Sequence, residues 1–136
     1  MQLYPNLTFD GQCEFAFKVY EQLLHGKTVL MMRYEDTPMD LQTPPDWGKK
    51  ISHATFTHAD FTLHGSDVPP DRYQKPQGFA LQLNLSDPVE AERIFQALAE
   101  NGTVQTPLQQ TFWALRFGVL VDQFGIPWLI NCEKPS

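Results

Sequence analysis

An α+β fold built from two βαβββ modules is predicted by three observations. The stretch "NLTFDGQCEFAFKVYEQLLHGKTV", residues 6–29, is echoed by "NLSDPVEAERIFQALAENGTV", residues 84–104, with Asn6-Leu7-Thr8 matching Asn84-Leu85-Ser86 and Gly26-Lys27-Thr28-Val29 matching Gly102-Thr103-Val104. Between these matched ends each copy has apolar residues at helical spacing. After each copy come segments in which apolar and β-branched residues alternate, the mark of strands and hairpins.

The first module opens on a strand across residues 4–8. Its helix carries Cys13, Ala16, Phe17, Tyr20, Leu23 and Leu24 on one face, with Asp10 expected as the starting cap and Gly26 in the left-handed terminal position. The strand "TVLMMRYE" follows. The Pro- and Asp-rich stretch from Thr37 to Lys50 reads as a loop. In "HATFTHADFTLHG" a turn near His58-Ala59-Asp60 places Phe56 opposite Leu63 and Thr55 opposite His64. Alternation then turns Ala54, Phe56, Phe61 and Leu63 toward the helix and His53, Thr55, Thr57, Thr62 and His64 away from it.

A second Pro- and Asp-rich loop, Ser66 to Gly78, joins the modules, so that module one spans about residues 1–66, the linker 67–77 and module two about 78–136 of one domain. In "FALQLNLS", Phe79, Leu81, Leu83 and Leu85 face the helices and Ala80, Gln82, Asn84 and Ser86 the other side. The second helix is fully punctuated, with Asp87 as N-cap, Pro88 at the first helical position, Glu90 as a capping-box partner and Gly102 at the left-handed end. Its face is Ala91, Ile94, Phe95 and Leu98. The strand "TVQTPL" precedes a final hairpin, "TFWALRFGVLVDQFGIPWLINCE". A turn at Asp122 to Gly125 puts Arg116 opposite Asn131 and Phe117 opposite Ile130. Trp113, Leu115, Phe117, Val119, Ile126, Trp128 and Ile130 then form one apolar face, and Phe112, Ala114, Arg116, Gly118, Leu129 and Asn131 the other. Trp113 and Trp128 are core in this register; a bulge would reverse Trp113.

With 136 residues, 42% hydrophobic and 19% charged, the chain has the composition of one soluble globular domain. Its net charge is −6 and its ten Lys and Arg are scattered, which argues against nucleic acid and membrane surfaces as partners. "MQLYPNLTF" lacks the basic-then-apolar order of a signal peptide, and no apolar run nears the roughly 20 residues a bilayer requires, so a cytoplasmic protein is expected. The two cysteines, Cys13 and Cys132, lie among apolar neighbours outside any metal-ligand spacing and read as buried free thiols.

The mixed faces, polar with interspersed apolar groups, suit either wet sheet surface or the lining of a cleft. The segments "YPNLTFDGQCEFAFKVYEQLL" and "TFWALRFGVLVDQFGIPWLINCE" and the paired modules resemble the PhnB-like branch of the vicinal oxygen chelate superfamily, which includes glyoxalase I, extradiol dioxygenases and bleomycin and fosfomycin resistance proteins. The resemblance covers nearly the whole chain. It rests on "TFW", "RFG" and the run Asp122, Phe124-Gly125-Ile126, Trp128, Ile130-Asn131. It implies a curved mixed sheet around a cleft, helices outside, and a homodimer.

Catalytic relatives, the resemblance further implies, hold a divalent metal through a His or Glu on the first strand and a Glu on the last strand of each module. This chain departs from that pattern: Leu129 stands where the relatives have Glu, Ala80 and Gln82 are the inward candidates of the second module, and residues 4–8 offer no His or Glu. The last strand of the first module offers Thr62 or His64 near the expected position, and a pair of His53 and His64 without a carboxylate would make a weak, poorly specified site. His25 suits the end of a helix dipole, and His58 belongs to a turn. No metal or other cofactor is therefore expected. Nor is there a GxGxxG loop for the methyltransferase activity sometimes ascribed to the branch, or a GxSxG elbow. Glu35 with Asp36 reads as solvated charge.

Arg116 could grip a ligand carboxylate or phosphonate in bidentate fashion, or bond internally to Asn131 or an acid such as Asp122. The leading expectation is a metal-independent small-molecule binding protein with His53, His64, Gln82, Asn84, Phe112, Arg116 and Asn131 around the ligand. The alternatives are an enzyme, using unorthodox metal ligands or acid/base chemistry from the histidines, and a protein that only sequesters toxic compounds.

Overall fold

The structure is a computed structural model that describes residues 1–38 and 43–135. Its chain divides into two compact units, 1–74 and 75–136. The first contains β1 (Asn6–Phe9), α1 (Cys13–Leu24), β2 (Lys27–Arg33), β3 (Ile51–Thr57) and β4 (Thr62–Asp67), with short 3₁₀ turns at Tyr34–Asp36 and Pro45–Trp47. The second contains β5 (Leu81–Leu85), α2 (Pro88–Ala99), β6 (Thr103–Gln109), β7 (Ala114–Val121) and β8 (Pro127–Glu133). Of the expected loop over Thr37–Lys50, residues 39–42 lie outside the described residues.

Both sheets have the same order, β1-β4-β3-β2 and β5-β8-β7-β6, with the first and last strands of each unit parallel and the other pairs antiparallel. The repeat seen in the sequence is thus a repeat of topology. Each helix has 12 residues, about 18 Å at 1.5 Å per residue, which matches the length of the strands it covers. Phe17 of α1 meets Phe9 and Phe56 edge-on, at centroid distances of 6.1 and 6.0 Å, and in the second unit Ala91, Ile94, Phe95 and Leu98 lie buried with Leu120, Trp128, Ile130 and Cys132.

Two details of helix punctuation differ from expectation. Asp10 does not cap α1; the carboxylate of Asp67, from the end of β4, accepts from the Cys13 N–H at 2.8 Å and from the Ile51 N–H at 2.9 Å. A single buried acid thereby ties helix, β3 and β4 together, and burial pushes its carboxyl above the usual range. Burial likewise pushes the Cys13 thiol up, consistent with an inert core residue.

The left-handed residues after the helices are His25 (φ 57°) and Asn101 (φ 59°), not Gly26 and Gly102. The glycines are needed for close approach instead. A Cβ on Gly26 would lie 2.2 Å from the Phe56 ring and 2.8 Å from the Thr57 carbonyl oxygen; one on Gly102 would lie 2.4 Å from the Val121 carbonyl oxygen. α2 starts as its sequence indicates: Asp87 accepts from the Val89 N–H at 3.0 Å and Pro88 follows it, while Glu90 is engaged by Arg93 rather than by the cap.

The β3–β4 hairpin has the expected register, Thr55 opposite His64 and Phe56 opposite Leu63, closed by the two-residue turn Ala59-Asp60. The β7–β8 hairpin does not. Arg116 pairs with Cys132, Phe117 with Asn131 and Gly118 with Ile130, one residue out from the expectation. The loop has three residues, Gln123 to Gly125, closed by Asp122 and Ile126, with Gly125 at φ 88°. A one-residue change of register turns every side chain of one strand to the opposite face. Phe117 and Val119 thus share a face with Leu129 and Asn131, whereas Gly118 lies beneath Phe95 of α2. A further irregularity between Ala114 and Arg116 leaves Trp113 49% exposed, while Trp128 is core at 1%.

Candidate functional site

The chemistry-bearing side chains lie on the helix-free face of each unit's own sheet. In the first, one row crosses the strands as Asn6, His64, Thr55 and Leu30. The imidazoles of His53 and His64 stack at 5.2 Å between centroids and 21° between planes, close together as their diagonal positions predict. Tyr4 also packs on His64, tilted, with ring centroids 5.0 Å apart, and the Thr55 hydroxyl lies 3.2 Å from His64 Nδ1. The site in this unit is therefore a histidine pair fixed by an aromatic ring and a hydroxyl.

The corresponding row of the second unit is Asn84, Asn131, Phe117 and Gln109. Here Gln82 Nε2 donates to Asn84 Oδ1 at 2.8 Å, and Asn131 Nδ2 donates to the same oxygen at 3.3 Å. Three carboxamides form one chain. Asn131 Oδ1 is left buried with no hydrogen-bond donor, an arrangement that calls for a partner. Phe112, Trp113 and Phe117 form an aromatic group, with Phe112–Trp113 centroids at 4.8 Å and Trp113–Phe117 at 5.3 Å, both edge-on.

Arg116 is not among these groups. Its Nε donates to Glu92 Oε1 of α2 at 3.0 Å and its Nη1 to the Leu115 carbonyl oxygen at 2.7 Å, as its register opposite buried Cys132 requires. Of the alternatives open in the sequence, the internal bond is the one formed, with Glu92 rather than Asn131 or Asp122 as partner. Asp122 instead accepts from the Phe124 and Ile126 N–H groups and from Trp128 Nε1, at 2.8, 3.0 and 2.9 Å. Glu35 pairs with Lys49 at 3.0 Å, Asp36 accepts from the Arg33 N–H, and His58 stacks on Phe61 in its turn.

The structure thus keeps His53 beside His64, and Gln82 and Asn84 beside Asn131; Phe112 stands 87% exposed beside Trp113. Tyr4, Thr55, Trp113 and Phe117 join them. Thr55 was visible in the alternation, and Phe117 follows once "DQFG" is read as a three-residue turn with glycine in the left-handed position. Tyr4 had no signal in the sequence.

A divalent metal does not fit the donor set. Among the described residues no three His, Cys, Asp or Glu side chains form a ligating group, and the two helix-free rows offer imidazole, hydroxyl and carboxamide but no carboxylate. The strand-to-helix turns are also unlike a dinucleotide loop. The first contains one glycine, Gly11, packed against Lys50 and Trp47; the second is Ser86-Asp87. Among the described residues no helix is long and apolar enough to cross a membrane.

The family described as 3-demethylubiquinone-9 3-methyltransferase matches residues 1–131. Protein YjdN of Escherichia coli K12 is 32% identical over 98% of this chain and 97% of its own. Among solved structures, protein PA1353 from Pseudomonas aeruginosa shares 43% identity over 99% of both chains with a TM-score of 0.89, and a PhnB protein from Bacillus cereus shares 25% over 97% and 99% with a TM-score of 0.81. The fold alone recurs in a glyoxylase/bleomycin resistance protein/dioxygenase domain from Frankia sp. EAN1pec, at 12% identity over 98% of both chains and a TM-score of 0.64. The chain belongs to the PhnB-like family that carries the 3-demethylubiquinone-9 3-methyltransferase description, with the fold of the glyoxalase/bleomycin resistance/dioxygenase superfamily.

Proposed function

We propose that this chain is a small-molecule binding protein that works without a metal, as a cytoplasmic homodimer, and contacts its ligand through the helix-free faces of its sheets. The observation that carries the reading is the ordered, uncharged polar equipment of those faces: the stacked His53–His64 pair in one unit and the Gln82–Asn84–Asn131 carboxamide chain in the other. Such groups fix a ligand's orientation by hydrogen bonds without forming a hard-cation site. Phe112 supplies exposed aromatic area, and Arg116, engaged by Glu92, is left out. The two buried free thiols suit a reducing compartment. Methyl transfer, named in the family's description, finds no supporting glycine loop in the strand-to-helix turns.

The test is a nuclear magnetic resonance titration of the full chain with a panel of neutral and anionic small molecules, with and without a chelator. A ligand is expected to shift the side-chain amide signals of Gln82, Asn84 and Asn131 or the ring signals of His53 and His64, with equal affinity in chelator. Binding only after a divalent cation is added, or shifts confined to α1 and α2, would contradict the proposal.

A further inference from the structure

We infer that the second unit's helix-free face selects an uncharged, planar aromatic ligand that carries a carboxamide-like edge, with its ring against Trp113 and Phe117 and its N–H at Asn131 Oδ1. This rests on the reading of that face as a ligand surface and names the class of molecule it takes.

Three features of the face point the same way. The first is its aromatic end: Trp113 meets Phe117 at 5.3 Å with planes at 70°, and both Trp113 and Phe112 are exposed. An edge-on aromatic pair with an exposed member offers a ring surface to a further flat ring. The second is the carboxamide chain, which begins beside it, because Phe117 and Asn131 are direct cross-strand partners on one face. Carboxamides carry donors and acceptors at fixed spacing and pair naturally with another N–H/C=O edge. Here the chain ends on the buried Asn131 Oδ1, which lacks a donor. Rotation about the soft terminal torsion of that side chain brings the oxygen out to an incoming N–H, in exchange for the long 3.3 Å bond from Asn131 Nδ2 to Asn84 Oδ1.

The third feature is charge. Among the described residues of this unit the cations are Lys75, Arg93, Arg116 and Lys134. Arg93 is held by Glu90 and Arg116 by Glu92, both on α2. Lys75 borders a hollow of about 320 Å³ with Phe79, Val121 and Pro127, at the opposite end of β7 from Trp113. Lys134 donates to the Phe112 carbonyl oxygen at 2.8 Å, so it braces the aromatic loop. A carboxylate or phosphonate set on the carboxamide chain could be held only by the carboxamide N–H groups and would leave Asn131 Oδ1, itself an acceptor, without a donor.

The isosteric pair 2-naphthamide and 2-naphthoate tests this in the wild-type chain, because the two differ only in an amide –NH₂ against a carboxylate oxygen. Calorimetry or tryptophan fluorescence is expected to show 2-naphthamide bound at least about tenfold more tightly, since a site whose acceptor awaits a ligand N–H rejects the analogue that lacks one. Asn131→Leu should bring the two probes to parity, and Trp113→Ala should weaken both by about tenfold, the loss expected for one stacking contact. Equal or tighter binding of 2-naphthoate would overturn the inference and return the ligand to the anionic class. Binding of neither probe, or shifts at His53 and His64 alone, would also overturn it, while the wider proposal would stand or fall on the panel titration with chelator.

Discussion

Asp122→Ala is expected to lower the stability of the second unit by about 3–5 kcal/mol, the loss typical of stripping a buried, multiply bonded acid from its donors. The carboxylate is only 5% exposed and accepts from two backbone N–H groups within its own loop and from the indole of Trp128, a core residue. Alanine would remove the acceptor that these three donors share. Urea denaturation checks the figure. The same loop fixes the β7–β8 register, so the variant should also lose the pairing of Phe117 with Asn131, visible as loss of the Asn131–Asn84 amide contact in nuclear Overhauser spectra. A variant with wild-type stability would show that Asp122 does not organise the hairpin.

Gly102→Ala is expected to be nearly as damaging, by roughly 3 kcal/mol, at the upper end of what an added methyl costs in a packed site. The new Cβ would stand 2.4 Å from the Val121 carbonyl oxygen and 3.1 Å from backbone atoms of Asp122. These atoms belong to the end of β7 and cannot swing aside as a side chain would. Gly78→Ala is the natural control: its φ is 84°, yet nothing lies within 4 Å of a Cβ there. That substitution should cost only the left-handed conformational penalty, about 1–2 kcal/mol. Thermal unfolding of the two variants should separate steric from conformational need. Equal losses would contradict the distinction.

The topology was legible because the repeat states it twice, and the β3–β4 register was legible because a two-residue turn leaves alternation undisturbed across the hairpin. The faces of β7 were not. The extra residue in the "DQFG" loop inverted the strand, moving Arg116 to the helix side and Phe117 to the helix-free side. Local sequence also concealed the cap of α1, because its acceptor, Asp67, lies 54 residues away along the chain. Tyr4 was invisible for a related reason, since its contact with His64 depends on β1 lying parallel to β4. His53, His64, Gln82, Asn84 and Asn131 kept their predicted faces because β3, β4, β5 and β8 carry no irregularity among themselves.

In the proposed function the histidines and carboxamides bind a molecule and not a metal ion. Elemental analysis of the purified, tag-free chain, before and after dialysis against Mn, Ni, Zn and Fe(II) salts and desalting, tests it most directly. Far less than one retained ion per chain is expected for every metal, with no change in His53→Ala or His64→Ala. Near-stoichiometric retention that disappears in either variant would contradict it and make the histidine pair a metal centre.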